Sequence, residues 1–264
     1  MAIAKRTSPP KKKLAIRAKK LPAKKAATQG KVSRNGASLA KLKEQAVRVN
    51  ERLKADYPDA TCALENETPF ELLIATILSA QCTDARVNMV TPELFRRWPD
   101  AAAMARAPIG ALEKVIQSTG FFRNKARNIK AASQAIVDRH DGEIPREIEA
   151  MVALPGVGRK TANVVLGTAY GMATGVVVDT HVTRLSNRLG LTKHTDATKI
   201  EQDLMQLLPE SEWVDFAHRM IHHGRQICVA RKPKCPICSM NSFCPKIGVV
   251  VIDKETRRHG DTEK

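Results

Sequence analysis

The chain has 264 residues, 43% of them hydrophobic, and a formal net charge of +17. That is enough chain for one large or two modest domains with a real core. No apolar run approaches the roughly 20 residues needed to span a bilayer, so membrane-spanning functions are excluded. Six cysteines without a secretory signal fit a reducing compartment and one metal site, and argue against a disulfide framework.

Residues 1–36 hold 12 Lys and Arg and no acid, so the other 228 residues carry only +5. This leader has no apolar period and is expected to be disordered. Three readings are open for it: attraction to a polyanion by counterion release, a merely solvated block of like charge, or organellar targeting. Its lysines cluster with prolines (Pro9-Pro10-Lys11-Lys12-Lys13), which argues against an amphipathic helix.

From Leu39 on, helical periodicity dominates. Thr68 reads as an N-cap, Pro69 as the first helical residue and Glu71 as the capping-box partner. Phe70, Leu73, Ile74, Ile77 and Leu78 then form one buried face. The same spacing recurs in Ile129, Ala132, Ser133, Ile136 and Val137. It returns in Ala162, Val165, Leu166 and Ala169, in Ile200, Leu204, Leu207 and Leu208, and in Phe216, Ala217, Met220 and Ile221. Strand signal is thin: Val176-Val177-Val178 fits a short buried strand or an extended loop, and Val249 to Ile252 is a short apolar run.

Leu154-Pro155-Gly156-Val157-Gly158-Arg159-Lys160-Thr161 places two glycines just before a helix. Glycine permits a tight turn and close approach of another backbone, and successive N–H groups at a helix start form an anion site. An ordinary glycine turn between core helices explains the glycines equally well. A desolvated Lys160 at that helix start is a candidate amine nucleophile. Pairing with a phosphate is the commoner task for lysine in a basic protein. Nineteen residues on, Asp179 precedes a helix carrying Val182, Leu185 and Leu189. It reads first as an N-cap, and second as a carboxylate facing Lys160 that accepts its proton or stabilises a cationic sugar. His181 reads as a structural histidine.

Near the C-terminus stands Cys228-x6-Cys235-x2-Cys238-x5-Cys244. Four thiolates in so short a loop make a zinc or an iron–sulfur site, and spacing alone leaves both open. Pro233, Pro236 and Pro245 favour a compact loop over a helix. Arg231, Lys232, Lys234 and Lys246 stud that loop and either face a phosphate backbone or are simply solvated.

Together with Leu78-Ser79-Ala80-Gln81-Cys82-Thr83-Asp84, these features resemble endonuclease III, the iron–sulfur branch of the helix–hairpin–helix DNA glycosylases. The likeness runs from about Leu42 to Ile247. It implies an all-α fold of two helical domains with a DNA cleft between them. One, a six-helix barrel with the hairpin, spans 62–172. The other joins 37–61 to 173–250 and holds a [4Fe–4S] cluster on Cys228, Cys235, Cys238 and Cys244. A tail, 251–264, remains. The resemblance also implies that Lys160 is the nucleophile and Asp179 its partner. Gln81 then fills the gap left by a flipped nucleotide, and Leu154, Gly156, Val157, Gly158 and Arg159 form the DNA-binding hairpin. Phe121, in Gly120-Phe121-Phe122-Arg123-Asn124-Lys125-Ala126, matches a wedge position that is often Leu. An apolar wedge replaces lost stacking; an ordinary core aromatic is the alternative.

The expected function is base-excision repair: removal of oxidised pyrimidines through a lysine Schiff base, then β-elimination at the abasic site. The expected partner is double-stranded DNA with damaged pyrimidines or abasic sites, bound by a monomer with no membrane contact. A bacterial-type cytoplasmic or nucleoid location is expected, with organellar targeting left open. Two rival functions compete with this one. An adenine glycosylase of the same superfamily lacks the hairpin lysine and carries a further C-terminal domain, whereas 20 residues follow Cys244 here. A non-catalytic DNA-binding module with a metal staple leaves Asp179 and Gln81 without a purpose.

Overall fold

The computed structural model describes residues 32–249, with side chains described from Ser38 onward. Residues 1–31 of the leader, the run Val250–Ile252 and the tail 251–264 lie outside it. Helix α1 runs from Val32 to Asp56, so it begins inside the stretch expected to be disordered up to residue 36. Its inward face is Ala46, Val49 and Leu53, all fully buried.

All regular structure among the described residues is helical. Helix α2 (Pro69–Leu78) starts as expected, with Thr68 Oγ1 accepting from the Glu71 N–H at 3.1 Å. The reciprocal bond differs from the expected box: Glu71 Oε2 accepts from the Glu67 N–H at 2.7 Å, one residue beyond the cap. Every residue from Leu72 to Leu78 is buried, so α2 is surrounded rather than amphipathic. A helix apolar all round belongs at the centre of a core.

Around it lie α3 (Asp84–Arg97), α4 (Ala101–Arg106), α5 (Ile109–Ile116), α6 (Phe122–His140), α7 (Ile148–Val152) and α8 (Arg159–Tyr170). Short polar caps start two of them: Thr83 accepts from the Arg86 N–H, and Asp100 from the Ala103 N–H. Leu64, Phe70, Leu73, Leu94, Ile116 and Ile129 belong to this first core. The second core joins α1 to α9 (Thr180–Arg188), α10 (Ala197–Leu207) and α11 (Trp213–Gln226), through Leu53, Val182, Leu204, Phe216 and Met220. Leu208 is buried but caps α10 rather than extending it. Val176-Val177-Val178 is buried and extended with no strand partner among the described residues.

Helix α8 belongs to both cores. Ala162, Val165 and Leu166 face the first, while Val164 faces the second. A Cβ on Gly167 would stand 2.9 Å from the Val214 side chain, so glycine lets α11 pack closely against α8. Gly171, with φ 64°, ends α8 and donates its N–H to the Gly167 carbonyl at 3.1 Å. Left-handed glycine is the usual stop there. The N-terminus of α8 therefore opens where the two cores meet. No helix among the described residues is long and apolar enough to cross a membrane.

Candidate active site and metal centre

The hairpin consists of α7, a turn and the first turn of α8. Leu154 and Val157 are 3% and 6% exposed and anchor the turn in the first core. Of the five residues expected to form the DNA-binding hairpin, these two turn their side chains inward and leave their backbone at the turn. Val157 donates its N–H to the Leu154 carbonyl at 3.1 Å. Gly156 has φ 76°, and a Cβ there would lie 2.7 Å from Asn128 Cβ. Glycine is thus required twice over, by conformation and by the close approach of α6. Gly158 caps α8 without a side-chain acceptor. The first N–H groups of the helix therefore have no side-chain cap and are free to donate to an anion.

Arg159 is tied inward. Its Nε donates to both carboxylate oxygens of Glu201 on α10, at 3.2 and 3.1 Å. Glu201 is buried and also accepts from Asn163 Nδ2 at 2.8 Å. The guanidinium thus joins the hairpin to the second core.

Lys160 projects from the start of α8 and is exposed. The desolvation expected from sequence is not provided by the free protein. Lys160 lines an open cavity of about 790 Å³ between the two cores, together with Asp179 and Gln81. Asp179 caps α9, its Oδ1 accepting from the Val182 N–H at 2.8 Å. Asp179 is thus the expected cap, and it also lines the cavity that Lys160 lines. Oδ2 is left for other work.

Gln81 sits just past α2 with φ 54° and is exposed at the cavity wall. Phe121 lies outside that lining. It has φ 48° and is 66% exposed, so it is not a core aromatic. Non-glycine residues in the left-handed region are uncommon and cost of order 1 kcal/mol or more. Five described non-glycine residues adopt it, and two of them, Gln81 and Phe121, are exposed in the loops that follow α2 and precede α6.

His181 also lines the cavity. Its Nδ1 lies 3.2 Å from Arg184 Nη2, a group that can only donate, so Nδ1 accepts. The same guanidinium donates to the Gly224 carbonyl at 2.9 Å and to the Cys228 carbonyl at 3.2 Å. Burial, and secondarily the charge of Arg188, lower the Arg184 pKa. On the far side of the cavity Arg225 Nη2 donates to Asp84 Oδ2 at 2.6 Å, linking α11 to α3.

Cys228, Cys235, Cys238 and Cys244 all line one small pocket beside α9 and α11. Among the described residues, no three His, Cys, Asp or Glu side chains converge closely enough to hold one metal ion. The four thiols line that one pocket together. Burial first, then the neighbouring cysteines, push the Cys238 and Cys244 thiols up. Four thiolates there need a cationic partner, which iron supplies.

Support around the thiols was not legible from spacing. Arg188 Nη1 donates to Cys228 Sγ at 3.4 Å and to the Val229 carbonyl at 2.8 Å, and its Nη2 to the Ala230 carbonyl at 2.9 Å. Cys238 Sγ lies 3.6 Å from His223 Nε2, and His223 Nδ1 lies 3.1 Å from the Tyr57 hydroxyl. Burial lowers the His223 imidazole, against Asp56. Burial, then Asp56 and Cys238, push Tyr57 up to about 12. The only hints in the chain were Arg184 and Arg188 one helical turn apart, and His223 five residues before Cys228.

Comparison with known proteins agrees with this geometry. Residues 74–210 match the model of the HhH-GPD superfamily of base excision DNA repair proteins. Residues 228–244 match the iron–sulfur binding domain of endonuclease III. Endonuclease III of Synechocystis sp. is 55% identical over 78% of this chain and 94% of its own length. That of Escherichia coli (strain K12) is 40% identical over 76% and 95%. A trapped covalent intermediate of an endonuclease III with DNA superposes with a TM-score of 0.74 at 44% identity. It covers 77% of this chain and 96% of that one.

Proposed function

The chain belongs to the endonuclease III family of base-excision DNA glycosylases with abasic-site lyase activity and a [4Fe–4S] cluster, and from that premise we propose that Lys160 is its nucleophile and Asp179 the carboxylate that serves it. The observation that carries the reading is the shared cavity: two residues from different helices, with Gln81 beside them, line one open cleft between two cores.

Duplex DNA binds across the cleft, with a backbone phosphate on the uncapped N–H groups at Gly158 to Lys160. The damaged nucleotide, an oxidised pyrimidine, turns out of the stack into the cavity, a step that costs least for a poorly stacked lesion. Gln81 fills the gap, and Phe121 enters from the opposite strand. Lys160 is exposed, so water leaves it only when DNA closes over the cavity. Asp179 takes the ammonium proton on Oδ2 while Oδ1 stays on the cap. The neutral amine attacks C1′, and the C1′–N bond breaks with its electron pair going to the base. Ring opening, with one proton passing from the lysine nitrogen to O4′, gives a protonated Schiff base. Loss of a C2′ proton then expels the 3′ phosphate, and water releases the free lysine. The enzyme acts as a monomer.

Cys228, Cys235, Cys238 and Cys244 hold the cluster, which when bound closes a loop with little core of its own. The domain assignment of 37–61 with 173–250, and of 62–172, is supported by the two cores, with α8 shared at Val164.

Borohydride reduction in the presence of thymine-glycol duplex tests the reading. Wild-type protein should form a covalent adduct, and Lys160→Ala should form none. An adduct with Lys160→Ala would remove Lys160 from the role. Asp179→Asn keeps a cap acceptor but should lose about 100-fold or more in base removal; near-normal turnover would leave Asp179 a cap alone.

A further inference from the structure

Lys125 has no part in the chemistry above, yet it is a lysine only 5% exposed. Its ammonium meets carbonyls: Nζ donates to the Leu78 carbonyl at 2.8 Å and to the Thr119 carbonyl at 2.8 Å. Leu78 ends α2, where carbonyls lack helical partners and the helix dipole favours a cation. Thr119 ends a single 3-10 turn, is itself 2% exposed, and donates its hydroxyl to the Ile116 carbonyl at 2.8 Å.

Each of these carbonyls stands at the base of an exposed tip. Past Leu78, after Ser79 and Ala80, comes Gln81 with φ 54°; past Thr119, after Gly120, comes Phe121 with φ 48°. The Lys125 backbone N–H also donates to the Phe121 carbonyl at 3.1 Å. One buried residue in the first turn of α6 therefore grips the roots of both strained, exposed tips. Left-handed non-glycine residues persist only where their surroundings over-determine them. Burying an ammonium is costly unless its protons are satisfied, and burial indeed lowers the Lys125 pKa, with Cys82 opposing. A methionine or leucine would fill that space at less cost. A lysine is explained by the two carbonyls it joins.

We propose that Lys125 is a positioning residue that locks the Gln81 and Phe121 loops into one rigid two-pronged wedge, so that both strands are entered together when a damaged nucleotide is turned out. This rests on the reading of Gln81 and Phe121 as the residues that enter the duplex. Lys125 touches neither the sugar nor the base. Its effect falls on the opening of the duplex and not on bond breaking.

The test uses full-length holoenzyme and duplexes with 2-aminopurine beside a thymine glycol, whose fluorescence reports flipping. One duplex is fully paired, and the other holds the lesion in a mismatched bubble. Lys125→Met should slow flipping and base removal on the paired duplex about tenfold, a coupling in the usual range for residues in contact. The deficit should largely vanish on the bubble, where little opening remains to be done. In a Gln81→Ala/Phe121→Ala background, Lys125→Met should add no further loss. Equal fractional losses on both duplexes, or an additive loss in the triple variant, would overturn the proposal and leave Lys125 a fold-stabilising residue. If Gln81→Ala/Phe121→Ala itself leaves flipping unchanged, the underlying reading of those two residues fails first. Should Lys125→Met not fold, Lys125→Gln, which keeps N–H donors for the carbonyls, carries the same comparison with a smaller expected deficit.

Discussion

The α2 segment and the cysteine loop are held together by opposite means. From Leu72 to Leu78 every side chain is buried, and the helix stands mainly on hydrophobic burial. From Cys228 to Val249, Met240 is the one buried residue. That stretch is fastened by thiolates and by guanidinium groups on carbonyls. Burial tolerates imperfect geometry and is spread over many atoms. Ligation is concentrated in a few bonds and fails all at once when one is lost.

The largest effect should come from breaking the ligated region. Cys238→Ala should abolish cluster binding, leaving a colourless protein cut by protease between Cys228 and Cys244. The far-ultraviolet helical signal should be nearly unchanged. Global unfolding by that substitution would erase the contrast. Leu73→Ala makes the reverse cut. Leu73 is fully buried, and truncation should cost about 2–5 kcal/mol by denaturant titration, while iron content per folded molecule stays at the wild-type value.

Between these lies Arg188→Met. It keeps bulk and removes the donors to Cys228 Sγ and the Val229 and Ala230 carbonyls. Outer supports of a metal site typically matter by about 10–100-fold in metal retention, so chelator should strip the variant faster by about that factor.

The smallest effect concerns Glu212, which ties the second core to α1. Burial alone would raise its carboxyl, but hydrogen bonds from Lys54, Asn50 and Arg219 outweigh burial and hold it below the usual range. A depressed carboxylate stabilises above its unfolded pKa of about 4.3 and loses that contribution as pH falls through the folded value. Lys54, 45% exposed, pairs with Glu212. Lys54→Met should therefore cost about 0.5 kcal/mol at neutral pH and almost nothing in strong acid. A constant deficit across that range would show that the ion pair is not the cause.

The legibility of each feature in the chain depends on the range of its signal. Thr68, Pro69 and the face from Phe70 to Leu78 are a local pattern, and the helix begins where they say. Asp179 advertises a cap, and the four cysteines advertise a metal. α4 and α5 have six and eight residues, too short for periodicity to register. The inward turn of Leu154 and Val157 depends on the first core that receives them, which no spacing within the hairpin encodes. Lys125 meets a carbonyl 47 residues away, and Tyr57 meets a histidine 166 residues away. Such pairs leave no period in the chain. Spacing left zinc and iron both open, and the match of residues 228–244 to the iron–sulfur binding domain of endonuclease III separates them.

The sharing of α8 between the two cores has a mechanical meaning. A rod gripped by both bodies is where each moves least against the other. Lys160 rides at the end of that rod, and Gln81 and Phe121 stand off it on loops. A substitution on either face of α8 is therefore felt by both cores, and the seating of Lys160 depends on the two together.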